Sequence, residues 1–267
     1  MTTNMQKIKF ISLSKFIYMT LFVCGMVASV SAQTKKRLPC IDKKFSIVAH
    51  IFKDSLGNYA ATEAEINGWI AGTSNYFDSI CITFQVCEFQ YHDNFTYTKH
   101  NADEEWAEMQ NLYHVKNRIN IFYVDSIEIP EGVCGYAGLG SITNLNGSGI
   151  VIMKGCGTGV HAHEMGHYFG LEHTFMDTQT TELVNGSNST TTADGISDTP
   201  ADPYIHPNPM SLYVVNCKFI STLTDVNGDY YDPIVGNIMS YYPCGCSFTC
   251  QQYLKMAATA TTLPQMW

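Results

Sequence analysis

Basic residues are scarce in this chain. Its 267 residues hold 15 Lys and Arg against 24 Asp and Glu, a formal net charge of −9. A nucleic-acid binder normally presents a basic face, so that class is set aside. Charged residues of both signs reach only 15%, too few for a long coiled coil. No apolar run attains the ~20 residues that a bilayer-spanning helix needs. Internal repeats and low-complexity linkers are missing as well, so the chain reads as one folded unit. What it does have is a hydrophobic share of 45%, which excludes a disordered chain, and enough length to bury a real core. It also has ten cysteines, many for a compartment that keeps thiols reduced.

The first segment agrees with an oxidising compartment. Lys7, Lys9 and Lys15 make a positive start, and Phe16 to Val30 is an uncharged apolar run of 15 residues. Val30-Ser31-Ala32 then offers the small residues that a signal peptidase reads. The pattern predicts a secretory signal peptide over 1–32. A membrane anchor needs a longer run, and a lipoprotein signal at Cys24 would put bulky Phe22 and Val23 where small residues belong. Removing 1–32 takes three Lys and no acid, leaving 12 basic and 24 acidic residues and nine cysteines. An odd number leaves at least one thiol over. The expectation is a secreted or periplasmic monomer with no nucleic-acid partner and no stable membrane anchor.

After a short segment over 33–43, Phe45–Phe52 is a β-rich run. Thr62-Glu63-Ala64-Glu65 is a capping box, followed by Ile66, Ile70, Thr73 and Phe77 at helical spacing. Ile82, Phe84 and Val86 alternate with polar neighbours as in a strand. Ala102–Val115 is a weaker helix, and Ile119–Val124 and Ile150–Met153 are buried strands. Gly135–Ser141 is extended and Gly-rich, suited to a sheet edge. Thr158–Phe169 reads as a helix. Residues 174–236 are rich in Thr, Asn, Asp, Gly and Pro with little periodicity, and Gln251–Ala260 reads as a closing helix. The fold class is α+β.

The chemistry sits in His163-Glu164-Met165-Gly166-His167-Tyr168-Phe169-Gly170-Leu171-Glu172-His173. On a helix His163 and His167 share a face, one turn apart, and two imidazoles so placed can bind one zinc ion. Glu164 stands beside the first ligand, where a general base for a metal-bound water belongs. Gly170 can adopt a left-handed conformation, end the helix and let the chain bring His173 to the metal from another side. Three His ligands leave a fourth position open, the mark of a catalytic site. A bare His-Glu-x-x-His occurs by chance in many helices. The Gly170 and His173 extension makes it specific.

A second signal lies 66 residues beyond His173. Asn237-Ile238-Met239-Ser240-Tyr241 resembles the Met-turn beneath the zinc of metzincin metalloproteases, and with the helix motif it makes the chain similar to that family. Within it the chain most resembles the pappalysins. The residues carrying that resemblance are 163–171, His173-Thr174-Phe175, Asp194-Gly195-Ile196-Ser197-Asp198-Thr199-Pro200, the Met-turn, and Phe248-Thr249 with Gln252. They cover the second half of the chain; the first half matches in strand order only.

The resemblance implies a catalytic domain over 44–267. Its upper subdomain (44–173) would hold a twisted mixed sheet above the zinc helix. Its irregular lower subdomain (174–267) would hold the Met-turn and the C-terminal helix. An extended peptide would lie in the cleft between them, pairing with Gly135–Ser141. Tyr241 resembles the tyrosine that reaches the zinc at rest and swings to the developing oxyanion. Cys217 would join Cys246, while the remaining cysteines stay unassigned; Cys40, in the short leading segment, is open to a disulfide, a thiol or a zinc-blocking role. Asp194, Asp198, Thr199 and Asp202 fall where the resemblance puts a structural calcium. Asp225, Asn227, Asp229 and Asp232 also supply hard oxygens, but such clusters are usually turns. Tyr242–Ser247, which should help line the primed-side pocket, contains no acid, against an inherited preference for basic residues.

The activity implied is a secreted zinc endopeptidase that hydrolyses peptide bonds through a Glu-activated, zinc-bound water, with peptides or proteins as substrates. The alternatives are a secreted binding module on the same scaffold without catalysis, and a zinc hydrolase acting on something other than peptides. Retention of Glu164 and all three His weighs against the first, and the sheet-edge strand and Met-turn against the second.

Overall fold

The computed structural model describes residues 37–140, 148–175 and 181–262. The expected signal peptide lies outside them. From Leu38 onward the chain clusters as one compact unit.

Strand β1 (Lys43–Phe52) leads to α1 (Glu63–Phe77), whose capping box forms as expected. The Thr62 hydroxyl accepts from the Glu65 N–H at 3.3 Å, and the Thr62 N–H donates to the Glu65 carboxylate at 2.9 Å. Ile66, Ile70, Thr73 and Phe77 are its buried face. Then come β2 (Ile82–His92), β3 (Lys99–Asn101) and α2 (Ala102–Tyr113). Helix α2 stops two residues short of Val115 because Asn120 takes that residue's backbone. Val115 donates to Asn120 Oδ1 at 2.8 Å, and Asn120 Nδ2 donates back to the Val115 carbonyl at 3.0 Å.

Next are β4 (Ile119–Val124), β5 (Ser126–Ile129), β6 (Gly135–Ala137), β7 (Ile150–Met153) and α3 (Thr158–Tyr168). The main sheet runs β2-β1-β4-β7-β6, the first four strands parallel and β6 antiparallel at the edge. Alternate residues of β1, β4 and β7 go to opposite faces. Phe45, Ile47, Ile121, Tyr123, Ile150 and Ile152 join α1 and α3 in one core. Phe52, Phe122, Val124 and Val151 join Met109 of α2 in another. Burial on both faces is why Ile119–Val124 is apolar almost throughout rather than alternating.

The second half is irregular apart from a two-residue hairpin, β8 (Val214–Val215) and β9 (Lys218–Phe219), and α4 (Cys250–Thr261). Asn216 and Cys217 both have positive φ, which is the backbone of a type I′ turn. The acidic run at 225–232 is a turn: Asp225 accepts from the N–H groups of Asn227, Asp229 and Val184. Phe175, Tyr204, Tyr213, Val214 and Tyr242 form a small core of their own.

Disulfides join Cys40 to Cys81, Cys134 to Cys156 and Cys217 to Cys244. The last corrects the expected Cys217–Cys246 pairing. The Cys246 N–H donates to the Gly236 carbonyl at 2.8 Å, which turns its side chain toward Gly236 and a small cleft lined by Gly72, Thr158 and Tyr253. Cys244 instead packs on the Tyr242 core, where the β8–β9 hairpin carries Cys217. Cys87, Cys246 and Cys250 are free and exposed. Among the described residues no helix is long and apolar enough to cross a membrane.

Candidate metal centre and cleft

Helix α3 packs Ala162 and Met165 into the main core and turns His163 and His167 the other way. It ends in a Schellman turn: the Gly170 N–H donates to the His167 carbonyl at 2.8 Å and the Leu171 N–H to the Gly166 carbonyl at 3.0 Å. Gly170 has φ +93°, as expected of the residue that ends this helix. The turn aims the Leu171 carbonyl back at the helix, where it accepts from Nδ1 of His167 at 2.7 Å. It also returns the chain so that His173 faces the two helical imidazoles.

The three Nε2 atoms stand 3.0–3.2 Å apart, and this is the one such group of His, Cys or acidic side chains among the described residues. Nitrogens bound tetrahedrally to zinc at ~2.1 Å would stand about 3.4 Å apart, so the set fits that ion. The tautomers add to the fit. Carbonyls only accept, so His167 donates to Leu171 and His163 to the Ile238 carbonyl, both through Nδ1–H at 2.7 Å. Their Nε2 lone pairs then face each other at 3.1 Å with no proton between them. Burial and the His173 imidazole hold His163 down at about 4, and burial with the neighbouring imidazoles holds His167 well below its ordinary range. The neutral form is the one a metal takes.

The Met-turn closes the site from below. Asn237 Oδ1 accepts from the Met239 N–H at 2.8 Å, and Asn237 Nδ2 donates to Gln252 of α4 at 2.9 Å. Gln252 is also the third residue of α4's capping box with Thr249. This frame presents the Ile238 carbonyl to His163 and seats Met239 against Gly166. A Cβ on Gly166 would lie 2.5 Å from the Met239 sulfur.

Glu164 is buried against the edge strand, where a Cβ on Gly135 would come within 3.2 Å of its Cγ and 2.8 Å of the Val151 carbonyl. Burial pushes its carboxyl up to about 8. Its Oε2 has no hydrogen-bond partner among the described residues. The ring of Tyr241 lies 4.7 Å from that of His173 and 5.7 Å from that of His163, centroid to centroid. His206, absent from the sequence reading, stands edge-on to Tyr241 at 5.6 Å. A cleft of about 580 Å³ runs past these groups, with Gly135, Tyr136, Ala137 and Leu139 along one side and Phe175, His206 and Tyr241 along the other.

The acidic loop is different. Asp194, Asp198 and Asp202 do not converge on one point as the three His do. Asp202 spends both oxygens inside the protein, accepting from Thr174 Oγ1, the Tyr204 N–H and the Tyr242 hydroxyl at 3.0, 3.1 and 2.7 Å. The Thr199 hydroxyl donates to Asp194, and Asp198 accepts from the Gln251 N–H. One buried oxygen each of Asp194 and Asp198 is left without a partner among the described residues. Burial pushes Glu182 up to about 7, with the charges of Asp194 and Asp202 adding to it, and burial pushes Asp194 up to about 6.

Family models match in two overlapping spans. One, described as metallo-peptidase family M12B reprolysin-like, covers residues 63–174; the other, described as pregnancy-associated plasma protein-A, covers residues 153–261. Together with the His cluster and the mixed sheet, they support a metallopeptidase of the metzincin class. Through its second half the chain is similar to the pappalysin family, and through the span before it to the reprolysin-like one. Mature mirolysin of Tannerella forsythia, solved in complex with a cleaved peptide, has the same fold at 18% identity and a TM-score of 0.57, over 84% of this chain and 93% of that one. Metalloproteinase-II of Bacteroides fragilis matches at 18% identity and a TM-score of 0.39, over 51% and 44%. No curated protein matches the sequence.

Proposed function

We propose that this chain is a zinc-dependent endopeptidase, exported through its signal peptide, that cuts extended peptide or protein substrates. The observation that carries the reading is the trio of imidazoles with Nε2 atoms 3.0–3.2 Å apart. Lone pairs facing at that range repel unless a cation lies between them. Zinc held by His163, His167 and His173 supplies Lewis acidity to the attacked carbonyl and a water acidic enough to act near neutral pH.

The protein's own groups do the rest. Glu164 takes a proton from the attacking water and returns it to the leaving amine. Tyr241 donates its hydroxyl to the carbonyl oxygen as negative charge develops there, a contact worth most in the transition state. The exposed edge of β6 takes the substrate backbone by strand addition. Three disulfides support an oxidising compartment.

The reading extends to a calcium ion at the 194–202 loop. Its support is one buried, unpartnered oxygen on each of Asp194 and Asp198 among the described residues, with Glu182 pushed up by burial and by the charges of Asp194 and Asp202. Burying like charges without a cation is costly.

The test is Glu164→Ala beside wild type. Wild type should cleave a peptide library and lose activity to a chelator. The variant should keep about one zinc and its melting temperature while losing nearly all turnover. Near-normal turnover in the variant removes Glu164 as the base.

A further inference from the structure

Strand β6 is short and lies at the sheet edge. It pairs with β7 through Gly135, Tyr136 and Ala137 only, and its outer side has no neighbouring strand among the described residues. A strand so placed is easily displaced, yet it borders the cleft and touches Glu164. Two ties bracket it. The Cys134–Cys156 disulfide precedes it, and the Gly140 N–H donates to the carbonyl of His167 at 2.9 Å beyond it.

A third tie comes from the far side of the sheet. Gly135 and Ala137 face α3, so Tyr136 faces α2. Its hydroxyl lies 2.6 Å from Nε2 of His100, which is fully buried on β3. Nδ1 of His100 lies 3.1 Å from Oε2 of Glu105 on α2, off the ring N–H axis. Glu105 is itself fixed by the Asn101 N–H at 3.0 Å. Trp106 packs edge-on against the Tyr136 ring at 5.5 Å. Burial keeps His100 neutral, down at about 4. With an anionic carboxylate 3.1 Å from Nδ1, the neutral ring keeps its one proton on that nitrogen, so Nε2 accepts and the phenol donates. The order is Tyr136 O–H to His100, and His100 N–H toward Glu105.

We propose that Tyr136, held by His100 and Glu105, is a positioning residue for substrate. The chain of contacts from α2 fixes β6 so that its outer backbone edge stands ready to pair with an extended peptide. The inference rests on the peptidase reading above. A preformed edge lowers the ordering cost of binding, and Tyr136 lies on the face of β6 opposite the one that Glu164 packs against. Loss of the tie should therefore act on binding of substrates long enough to lie along β6.

The experiment compares a long internally quenched peptide with a short one that ends before the edge strand. Tyr136→Phe keeps the ring and its packing. It should raise KM for the long peptide roughly fivefold, the worth of one neutral hydrogen bond. Its kcat should stay within about twofold, with zinc content and the short peptide unaffected. Glu105→Ala should reproduce the effect, and Glu105→Gln, which keeps an oxygen beside His100 Nδ1, should restore much of it. Equal KM values for the long peptide in wild type and Tyr136→Phe overturn the inference, as does an equal rise for both peptides. A wild type that cleaves no peptide sinks the peptidase reading itself, before any variant is compared.

Discussion

Gly166 shows how much one missing methyl group can decide. In the interior of a helix, Gly→Ala ordinarily stabilises by about 1 kcal/mol. At this position the new Cβ would lie 2.5 Å from the sulfur of Met239, itself fully buried. Overpacking of that kind costs roughly 1–3 kcal/mol and outweighs the propensity gain. Gly166→Ala should therefore lower the melting temperature. Displacing Met239 also draws the Ile238 carbonyl from His163, so zinc affinity should fall with it. Calorimetry and a competitive zinc titration read the two effects. The His cluster and the neighbouring Glu164 were readable in the sequence because they lie within eleven residues and one helical period sets their geometry. The reason for Gly166 was not, since its partner is 73 residues away. The only hint was a glycine inside a helix with no turn to explain it.

At the scale of elements, strands and helices followed from periodicity wherever burial was regular. Ile119–Val124 and Ile150–Met153 form at the expected residues, and α2 ends early because a side chain from β4 intervenes. The irregular half was less readable. Nothing local distinguishes Cys244 from Cys246 as the partner of Cys217, because the choice is made by a backbone bond to Gly236. The loop from Asp194 to Asp202 also acts as an element, bracing Thr174 against Tyr242 and the start of α4. If it holds calcium, that ion binds only the native state and stabilises by mass action. Adding millimolar calcium to chelated, zinc-restored protein should raise the melting temperature, and Asp194→Asn should abolish the rise. No rise in wild type would leave these acids as hydrogen-bond acceptors alone.

Across the whole molecule, acid stability depends on histidines kept neutral. His50 is fully buried between His92, 3.1 Å away, and Asn120, 3.0 Å away, and burial lowers it from its ordinary 6.5 to about 4. His92 and His114 face it and are lowered too, mainly by burial. Between pH 6.5 and 4 the unfolded chain therefore takes up a proton at His50 that the folded chain refuses. Its contribution is intact above 6.5 and is lost as pH falls to 4, by up to roughly 3 kcal/mol. Glu182 and Asp194, pushed up by burial, act in the opposite sense, so the wild-type curve alone mixes the two. The difference between wild type and His50→Gln isolates one of them. That difference, from urea unfolding at several pH values, should shift against wild type as pH falls through this window. A flat difference would mean that His50 is not held neutral by the fold.

The seat of Met239 beneath α3 has a further consequence, for damage. The chain holds twelve methionines. Met210 is 40% exposed, whereas Met239 is completely enclosed between Gly166 and the core. Peroxide reaches a thioether only where solvent does, and a sulfoxide is too polar for that seat. Met210 can thus oxidise in the intact protein, but Met239 oxidises only when the Met-turn leaves the helix. A sulfoxide at 239 is in that sense a chemical record of opening at the metal centre, written at the rate at which the two halves of the site come apart.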